Sequence, residues 1–328
     1  MMEPRPAMPL VSVAIIAYNQ KKFLPELLDS VLGQDYPNIE IIVADDASTD
    51  GTGELCAEYD RSHPGRIRWI LAEKNVGITG NSNAGLRECR GDYMCLVGGD
   101  DIFLPGKVAA QVSWFQKNPR AALCACGVEV FDSQSGSVVT TIHDAVLRRG
   151  GGVGSMIRQT CATPTSAFMF RRALCEGLEF DRRTPTVSDW LYIIEACMRG
   201  SYGLVEGVYL RYRRTGSNTT SFGSSRSYIE DRLIYTDICL ARYKKYYMSI
   251  KIQRAKIFYQ HGKRCGYESD IRAATKFMGY ALAEWPFCGA AWAGLALSLL
   301  SFGRANVWVA SRRWWHRICG IHSGSVQK

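Results

Sequence analysis

The sequence lacks the residue pairs with which small domains bind structural zinc. Its 12 cysteines and 5 histidines are scattered, and no two cysteines form a Cys-x-x-Cys pair. Cys124 and Cys126 are the closest couple, and neither a histidine nor a second cysteine pair lies near them in the sequence. Cys124 and Cys126 are two positions apart in an apolar run, and such spacing is typical of a buried strand. We therefore predict a strand here rather than a zinc site.

Several other signals are missing as well. Residues 1–6 read MMEPRP, which is not the start of a secretory segment, so we expect reduced thiols and a cytoplasmic location. The glycines of residues 150–154 do not follow a predicted strand and lack the spacing G-x-G-x-x-G, so we predict a flexible loop there. The first predicted strand is not followed by a glycine-rich loop with Arg and Lys, which argues against a nucleotidyltransferase.

An excess of positive charge is absent from the first two thirds of the chain. Residues 1–222 contain 23 Lys and Arg against 25 Asp and Glu, a net charge of −2. Residues 223–328 contain 17 against 6, a net charge of +11. The first region therefore offers no basis for binding nucleic acid. Composition and charge both change near Phe222, so we predict one domain over 1–222 and a basic helical C-terminal region over 223–328.

The sequence does contain a regular alternation of strand and helix patterns. Short apolar runs rich in β-branched residues are followed by segments with apolar residues at helical spacing. Strands are predicted at 10–17, 39–44, 67–71 and in the run that ends at Asp100, then at 121–131, 138–142 and 167–170; helices are predicted at 78–89, 107–117 and 189–198. The pattern indicates an α/β fold with a mostly parallel sheet flanked by helices.

The fourth apolar run ends in two adjacent carboxylates, Asp100 and Asp101. Ligands of open α/β sheets gather at the carboxyl ends of the strands. A pair of carboxylates there is costly unless a cation offsets their repulsion, and Mg²⁺ or Mn²⁺ binds both carboxylate and phosphate oxygens. The run therefore suggests a metal that holds a phosphorylated substrate, and a solvated Asp-Asp turn remains the alternative.

Six segments occur in one order that is shared with a known family of enzymes. They are VSVAIIAYN (11–19), IIVADDASTDGT (41–52), NVGITGNSNAG (75–85), GDYMCLVGGDDIFLPGK (91–107), SDWLYI (188–193) and LRYRRTGSNTTS (210–221). Together they resemble the inverting, metal-dependent glycosyltransferases of family 2, which have the GT-A fold. The resemblance covers residues 10–221. It implies transfer of a sugar from a nucleotide-diphosphate sugar, UDP-linked in our prediction, to a glycan or lipid-linked acceptor in surface polysaccharide assembly.

The resemblance also implies roles for particular residues around the nucleotide. Tyr18 and Asn19 would border the base, and the carboxylate of Asp46 would hydrogen-bond it. Gly77 would let the backbone approach the nucleotide without an intervening side chain. Asp100, with Asp101 beside it, would hold Mg²⁺ or Mn²⁺ against the diphosphate and so offset the charge of the leaving group.

Asp189 matches the position of the family's general base. Its carboxylate would take the proton of the acceptor hydroxyl as that oxygen attacks the anomeric carbon, which inverts the configuration. From the residues alone, an N-cap of the predicted helix is the favoured role for Asp189. Trp190 beside it would either pack on a sugar or fill the core.

Two positions depart from the family pattern. Gly98 stands where the family usually has a carboxylate, two positions before the metal ligand. Thr215 stands where the family's Tyr-Arg-x-His pattern has its histidine, and water or Arg214 would have to take over that contact. These departures motivate an alternative function, a non-catalytic nucleotide-binding scaffold at the membrane.

The C-terminal region contains an uncharged stretch of 19 residues, 285–303. Because it contains Pro286, several glycines and serines, and is followed by arginines, we predict two packed helices at 273–285 and 287–300 rather than a membrane span. Trp308, Trp314 and Trp315 lie among arginines, so we expect peripheral attachment to an anionic membrane surface, with an aromatic packing face as the alternative.

Overall fold

The computed structural model describes residues 8–143, 152–159, 163–215, 226–268 and 270–301. The chain divides into two compact units, Met1–Phe222 and Gly223–Lys328.

The first unit opens with alternating strands and helices. In chain order these are β1 (Val11–Ala17), α1 (Leu24–Leu32), β2 (Ile39–Asp45), α2 (Thr52–Ser62), β3 (Ile67–Leu71), α3 (Gly77–Arg87), β4 (Tyr93–Gly98), β5 (Ile102–Phe103) and α4 (Lys107–Lys117). The apolar pattern of these elements agrees with their burial. Nearly every side chain of β1 is buried, as expected of a strand covered on both faces. The apolar residues of α1 fall on one fully buried face, formed by Leu24, Leu27, Leu28 and Val31.

The remainder of the unit is less regular. It comprises β6 (Ala121–Asp132), β7 (Val138–Ile142), α5 (Gly152–Gln159), a 3-10 turn (Thr165–Ala167), β8 (Phe168–Arg171), α6 (Arg172–Cys175), α7 (Ser188–Arg199) and β9 (Ser201–Arg214). Cys124 and Cys126 lie buried in β6, as predicted. The loop predicted for residues 152–154 is wrong, because Gly152 begins a helix that buries Met156 and Ile157. Residues 150–151 lie outside the described residues.

The described strands form a single sheet in the order β3-β2-β1-β4-β8-β6-β9-β5, with β7 paired to β6. The first four strands are parallel, which confirms the prediction for this half of the sheet. The other half is mixed, because β8 runs antiparallel to both β4 and β6, whereas β6 and β9 are parallel. Ala17 is paired with Asp45, and Ile16 with Gly98, so β1, β2 and β4 end side by side at one edge.

An aromatic stack fixes α7 against this sheet. The ring of Tyr192 lies parallel to that of Phe180, with 4.6 Å between centroids, and meets Phe170 of β8 edge-on at 5.3 Å. All three side chains are buried. Offset and edge-on pairs of this kind add to the stabilisation from burial, so the N-terminus of α7 is held firmly beside the sheet edge.

The second unit is helical over its described residues. It contains α8 (Arg226–Arg242), a 3-10 turn (Lys244–Tyr246), α9 (Tyr247–Tyr267), α10 (Ile271–Glu284) and α11 (Gly289–Ser301). Small residues let α9, α10 and α11 pack closely around Met278, and a Cβ atom on Gly294 would lie 2.6 Å from its Cε. The prediction of two packed helices on either side of Pro286 is confirmed. In the described part of the chain, no helix is both long enough and apolar enough to traverse a bilayer. Arg304, Trp308, Trp314 and Trp315 lie outside the described residues.

Candidate active site

Two loops at the sheet edge are joined by Asn19. The side-chain oxygen of Asn19 accepts the backbone amide of Thr49 at 2.8 Å, and the backbone amide of Asn19 donates to Oγ of Ser48 at 2.8 Å. Among the described residues, only Asn19 and Ala47 have a positive φ without being glycine, at 53° and 58°. Backbone strain of this kind is retained where the surroundings enforce it, and it often marks functional loops. Tyr18, next to Asn19, is 48% exposed at the tip of β1.

Asp46 lies at the adjacent tip of β2 and is only 3% exposed. One carboxylate oxygen accepts the amide of Val76 at 2.7 Å, and the other accepts the amide of Gly77 at 2.9 Å. Amides at the N-terminus of a helix have no partner within the helix itself. By accepting these two, Asp46 caps α3 from a distant part of the chain. Gly77 has a φ of 78°, and a Cβ atom added there would have no neighbour within 4 Å. The backbone of Gly77 therefore faces open space, and only glycine adopts this conformation without strain.

Two asparagines of α3, which the sequence did not single out, complete this corner. Nδ2 of Asn81 donates to the carbonyls of Ala17 at 3.2 Å and Ala44 at 2.8 Å, which are strand-end groups of β1 and β2. Asn83 exchanges two hydrogen bonds with the backbone of Phe180, at 2.8 and 2.9 Å. The only sign of them in the sequence is a pair of asparagines in the predicted helix, inside the segment NVGITGNSNAG. The fold buries both side chains.

The two carboxylates after β4 have different surroundings. Asp101 is 2% exposed; one of its oxygens accepts the hydroxyl of Ser166 at 2.5 Å and the other accepts the amide of Arg213 at 3.3 Å. Burial, and next the nearby charge of Asp100, raise the pKa of Asp101 to about 8. Asp100 is half-buried. Each carboxylate thus raises the cost of ionising the other, and a cation at this point would relieve that cost.

Arg213, from β9, holds the Asp-Asp loop in place. Its Nε donates to the carbonyl oxygen of Asp100 at 2.8 Å, and its Nη2 forms an ion pair with Glu26 of α1. The guanidinium lies 4.7 Å from the ring centres of both Phe23 and Phe131. A planar cation between two aromatic faces is fixed in orientation, so the loop carrying Asp100 has little freedom.

Gly98 lies directly beside the side chain of Asp100. A Cβ atom at this position would lie 3.1 Å from Oδ1 of Asp100, closer than most side chains approach. A larger residue at this position would require the Asp100 side chain to shift by a few tenths of an ångström. At the end of β9, Arg214 is exposed and Thr215 is half-buried. Residues 216–221 of the last family segment lie outside the described residues.

Asp189 lies in the first turn of α7 and is half-buried. The helix begins at Ser188 and Val187 occupies the N-cap position, so the N-cap role favoured from the residues alone is wrong for Asp189. Oδ2 of Asp189 accepts the hydroxyl of Thr165 at 2.8 Å. Burial raises the pKa of Asp189, while the hydrogen bonds from Thr165 and from backbone amides of the first turn partly oppose this. Trp190 beside it is half-buried.

Hydrogen bonds, joined by short backbone segments, connect these carboxylates around the sheet edge. Asp46 binds the start of α3, and Thr79 in the next positions of α3 donates to Oγ of Ser188 at 3.4 Å. From the start of α7 the series continues through Asp189, the 3-10 turn (Thr165–Ala167) and Asp101. The predicted site residues from β2, β4 and α7 are therefore brought to one region, and their relative positions are coupled.

The donor set fits a hard divalent cation that also binds phosphate. No group of three or more His, Cys, Asp or Glu side chains suited to holding a metal is found within the described ranges. Mg²⁺ sites that bind nucleotides commonly use one or two carboxylates, with phosphate oxygens and water supplying the other ligands. Asp100 and Asp101 match that donor count, and a cation there would offset the repulsion by Asp100 that, after burial, raises the pKa of Asp101.

Comparison with known proteins connects this geometry to a family. EpsE of Bacillus subtilis (strain 168) is 31% identical over 207 residues, which cover 61% of this chain and 72% of EpsE. A protein of Mycobacterium tuberculosis is 29% identical over 209 residues, and the match spans 58% of its length.

Two solved structures share the fold. S. aureus TarS, residues 1–349 in complex with UDP-GlcNAc, superposes with a TM-score of 0.66 at 17% identity, covering 93% of this chain and 92% of that one. The mannosyltransferase PcManGT from Pyrobaculum calidifontis, in complex with GDP-Man and Mn²⁺, superposes with a TM-score of 0.54 at 20% identity, covering 94% and 81%. These likenesses confirm the GT-A fold with a helical C-terminal region.

The model of the family described as "Glycosyl transferase family 2" matches residues 12–178, about half of the chain. The match begins in β1 and runs through the tips of β2 and β4 and the 3-10 turn (Thr165–Ala167). The chain therefore belongs to glycosyl transferase family 2.

Proposed function

We propose that this chain is an inverting, metal-dependent glycosyltransferase. It moves a sugar from a nucleotide-diphosphate sugar, most simply UDP-linked, to a hydroxyl of a glycan or lipid-linked acceptor in surface polysaccharide assembly. The observation that carries the proposal is the hydrogen-bonded series that joins Asp46, Asp101 and Asp189 at one sheet edge. Donor recognition, leaving-group stabilisation and proton removal are thereby available within one region.

The donor side of the site is assigned to the tips of β1 and β2. TarS was solved with UDP-GlcNAc and PcManGT with GDP-Man, which supports a nucleotide-sugar donor. Tyr18 is exposed enough to stack on a base, and Asp46 keeps acceptor capacity because a carboxylate has about four lone-pair positions and two backbone amides use two of them. The open side of Gly77 lets the nucleotide approach its backbone.

The chemical step follows from the surroundings of Asp189. The acceptor hydroxyl gives its proton to the Asp189 carboxylate while the acceptor oxygen forms a bond to the anomeric carbon. The bond from that carbon to the diphosphate breaks, and its electron pair leaves with the nucleoside diphosphate. Attack and departure on opposite faces invert the configuration. Asp100 and Asp101 would hold a divalent cation, which would supply positive charge to offset the charge of the leaving group.

Release of nucleotide tests this proposal directly. The full chain is incubated with Mn²⁺ and a panel of nucleotide sugars, with and without glycan or lipid-linked acceptors, and free nucleoside diphosphate is measured. We expect acceptor-dependent release from one donor class. Nucleotide binding without release, under every acceptor, would instead support the non-catalytic scaffold, although the intact Asp100, Asp101 and Asp189 favour the enzyme.

Peripheral membrane attachment belongs to the same proposal. The second unit carries the excess of positive charge, and two large aromatic side chains are exposed where α10 meets α11: Phe287 in the connecting turn, at 82%, and Trp292 in the first turn of α11, at 55%. The indole Nε1 of Trp292 donates to the carbonyl of Pro286 at 2.8 Å, so this ring can enter an apolar layer without an unpaired donor. Such a tip suits the interface of an anionic bilayer, where a lipid-linked acceptor would reside.

The double variant Phe287→Ser/Trp292→Ser is therefore expected to bind vesicles more weakly. Full burial of one large apolar side chain contributes about 1.5–3 kcal/mol, so partial insertion of two gives a loss of about tenfold or more. Sedimentation with vesicles containing phosphatidylglycerol measures the bound fraction. Val138→Ser, which changes an exposed apolar residue of the first unit, is the matched control. Equal sedimentation of the double variant and the unmodified chain would show that Phe287 and Trp292 do not contribute to membrane binding.

A further inference from the structure

Two functional carboxylates, Asp189 and Asp101, are each hydrogen-bonded by one of two adjacent hydroxyl residues, Thr165 and Ser166. Thr165 donates to Oδ2 of Asp189 at 2.8 Å, and Ser166 donates to Oδ2 of Asp101 at 2.5 Å. Asp189 belongs to α7 and Asp101 follows β4, so elements far apart in the sequence meet at one 3-10 turn (Thr165–Ala167). A single turn of backbone thus sets the position of both carboxylates.

The turn itself has little freedom to move. Pro164 precedes it with a φ of −62°, and the amide of Ala167 donates to the Pro164 carbonyl at 2.9 Å. The carbonyl of Ala167 accepts Nε2 of Gln111 at 2.9 Å, and Gln111 is completely buried in α4. Ser166 and Ala167 are buried as well. The hydroxyls therefore present their protons from fixed points, which is what orientation of another side chain requires.

We propose that Thr165 and Ser166 are positioning residues with separate tasks: Thr165 orients Asp189 toward the acceptor, and Ser166 orients Asp101 toward the cation and the donor diphosphate. The inference rests on the proposed function and extends it to two residues that hydrogen-bond the functional carboxylates. Each hydroxyl has one proton to donate, so each can orient only one carboxylate. If the hydroxyls served only to satisfy buried polar groups, their loss would lower stability without separating the two tasks.

Removing each hydroxyl alone tests the division of tasks. Thr165→Val keeps the shape and removes the hydroxyl, and Thr165→Ser retains it. We expect Thr165→Val to lower kcat about tenfold or more, by the magnitude typical of residues that orient an active group, with UDP affinity and Mn²⁺ requirement unchanged. Thr165→Ser should keep most of kcat. Turnover is measured as nucleotide release by the full chain.

Ser166→Ala is expected to change the Mn²⁺ requirement and to leave kcat nearly unchanged, the opposite of Thr165→Val. The Mn²⁺ concentration that gives half-maximal UDP binding should rise about tenfold, while kcat at saturating Mn²⁺ stays within about threefold. Calorimetric titration of UDP at a series of Mn²⁺ concentrations measures this without turnover. Thermal melting of each variant checks folding, and Ser166→Cys, which keeps a weak donor of similar size, provides a second variant at this position.

Two outcomes overturn the inference while the proposed function stands. One is that both variants change the same parameter in the same proportion, and the other is that Thr165→Ser loses as much kcat as Thr165→Val. If the unmodified chain releases no nucleotide with any donor, the proposed function fails instead. The binding titration then decides alone, because an unshifted Mn²⁺ requirement in Ser166→Ala contradicts the inference.

Discussion

Asp189→Asn is expected to lower the rate of sugar transfer by roughly 10²–10⁴-fold while leaving donor binding intact. General bases contribute that range, and an asparagine cannot take the proton of the acceptor hydroxyl. The amide oxygen of asparagine can still accept the hydrogen bond from Thr165, so the local geometry of α7 should survive. Nucleotide release measures the rate, and calorimetry with UDP and Mn²⁺ measures donor binding.

Asp60→Asn is the matched control, because Asp60 is an exposed carboxylate on α2. It should match the unmodified chain in both measurements. The pH dependence gives a second readout: burial raises the pKa of Asp189, and only the ionised form accepts a proton, so the rate should rise with pH around a midpoint above that of an ordinary aspartate. Transfer at an undiminished rate by Asp189→Asn would exclude this residue as the base.

The edge of the sheet that carries the site could be predicted from local sequence patterns. Apolar runs that end in polar residues gave β1, β2 and β4 to within a residue or two, and parallel strands bring their carboxyl ends to one edge. That rule alone brings Tyr18, Asp46 and Asp100 together. It needs no knowledge of which distant segments pack against the edge.

The residues that hold the site together could not be predicted in this way. Ser166 and Arg213 contact Asp101 from 65 and 112 positions along the chain, and nothing in the local pattern of either segment points to that partner. β9 is also not among the predicted strands, although it pairs with both β5 and β6. Long-range contacts of this kind depend on the tertiary fold rather than on local propensity.

Departures from the family pattern have to be judged in the same three-dimensional setting. From the sequence, Gly98 counted against catalysis because a carboxylate was missing. In the fold, a Cβ atom at that position would lie 3.1 Å from Oδ1 of Asp100, so either glycine or a larger residue that shifts this side chain slightly is compatible with a working Asp100. Gly98 and Thr215 therefore both remain as motives for the scaffold alternative, and the intact Asp46, Asp100, Asp101 and Asp189 count against it.

Asp100→Ala is expected to abolish the effect of Mn²⁺ on UDP affinity and to lower transfer by roughly 10²–10³-fold, the loss typical when one group that stabilises developing charge is removed. Asp100 is the outer carboxylate of the pair, whereas both oxygens of Asp101 are already engaged by Ser166 and Arg213. The variant should remain folded, because the hydrogen bond from Nε of Arg213 to the backbone carbonyl of Asp100 does not depend on the Asp100 side chain. Removing the side chain thus removes charge with little change in the loop.

Calorimetry of UDP binding in Mn²⁺ and in excess chelator separates this role from a structural one. The unmodified chain should bind UDP more tightly in Mn²⁺, and Asp100→Ala should bind it equally weakly in both. Asp60→Ala, an exposed carboxylate removed from α2, should behave as the unmodified chain. If chelator leaves UDP affinity of the unmodified chain unchanged, the two carboxylates after β4 do not hold a cation against the diphosphate. The buried Asp101 side chain, held by Ser166 and the amide of Arg213, would then only support the loop.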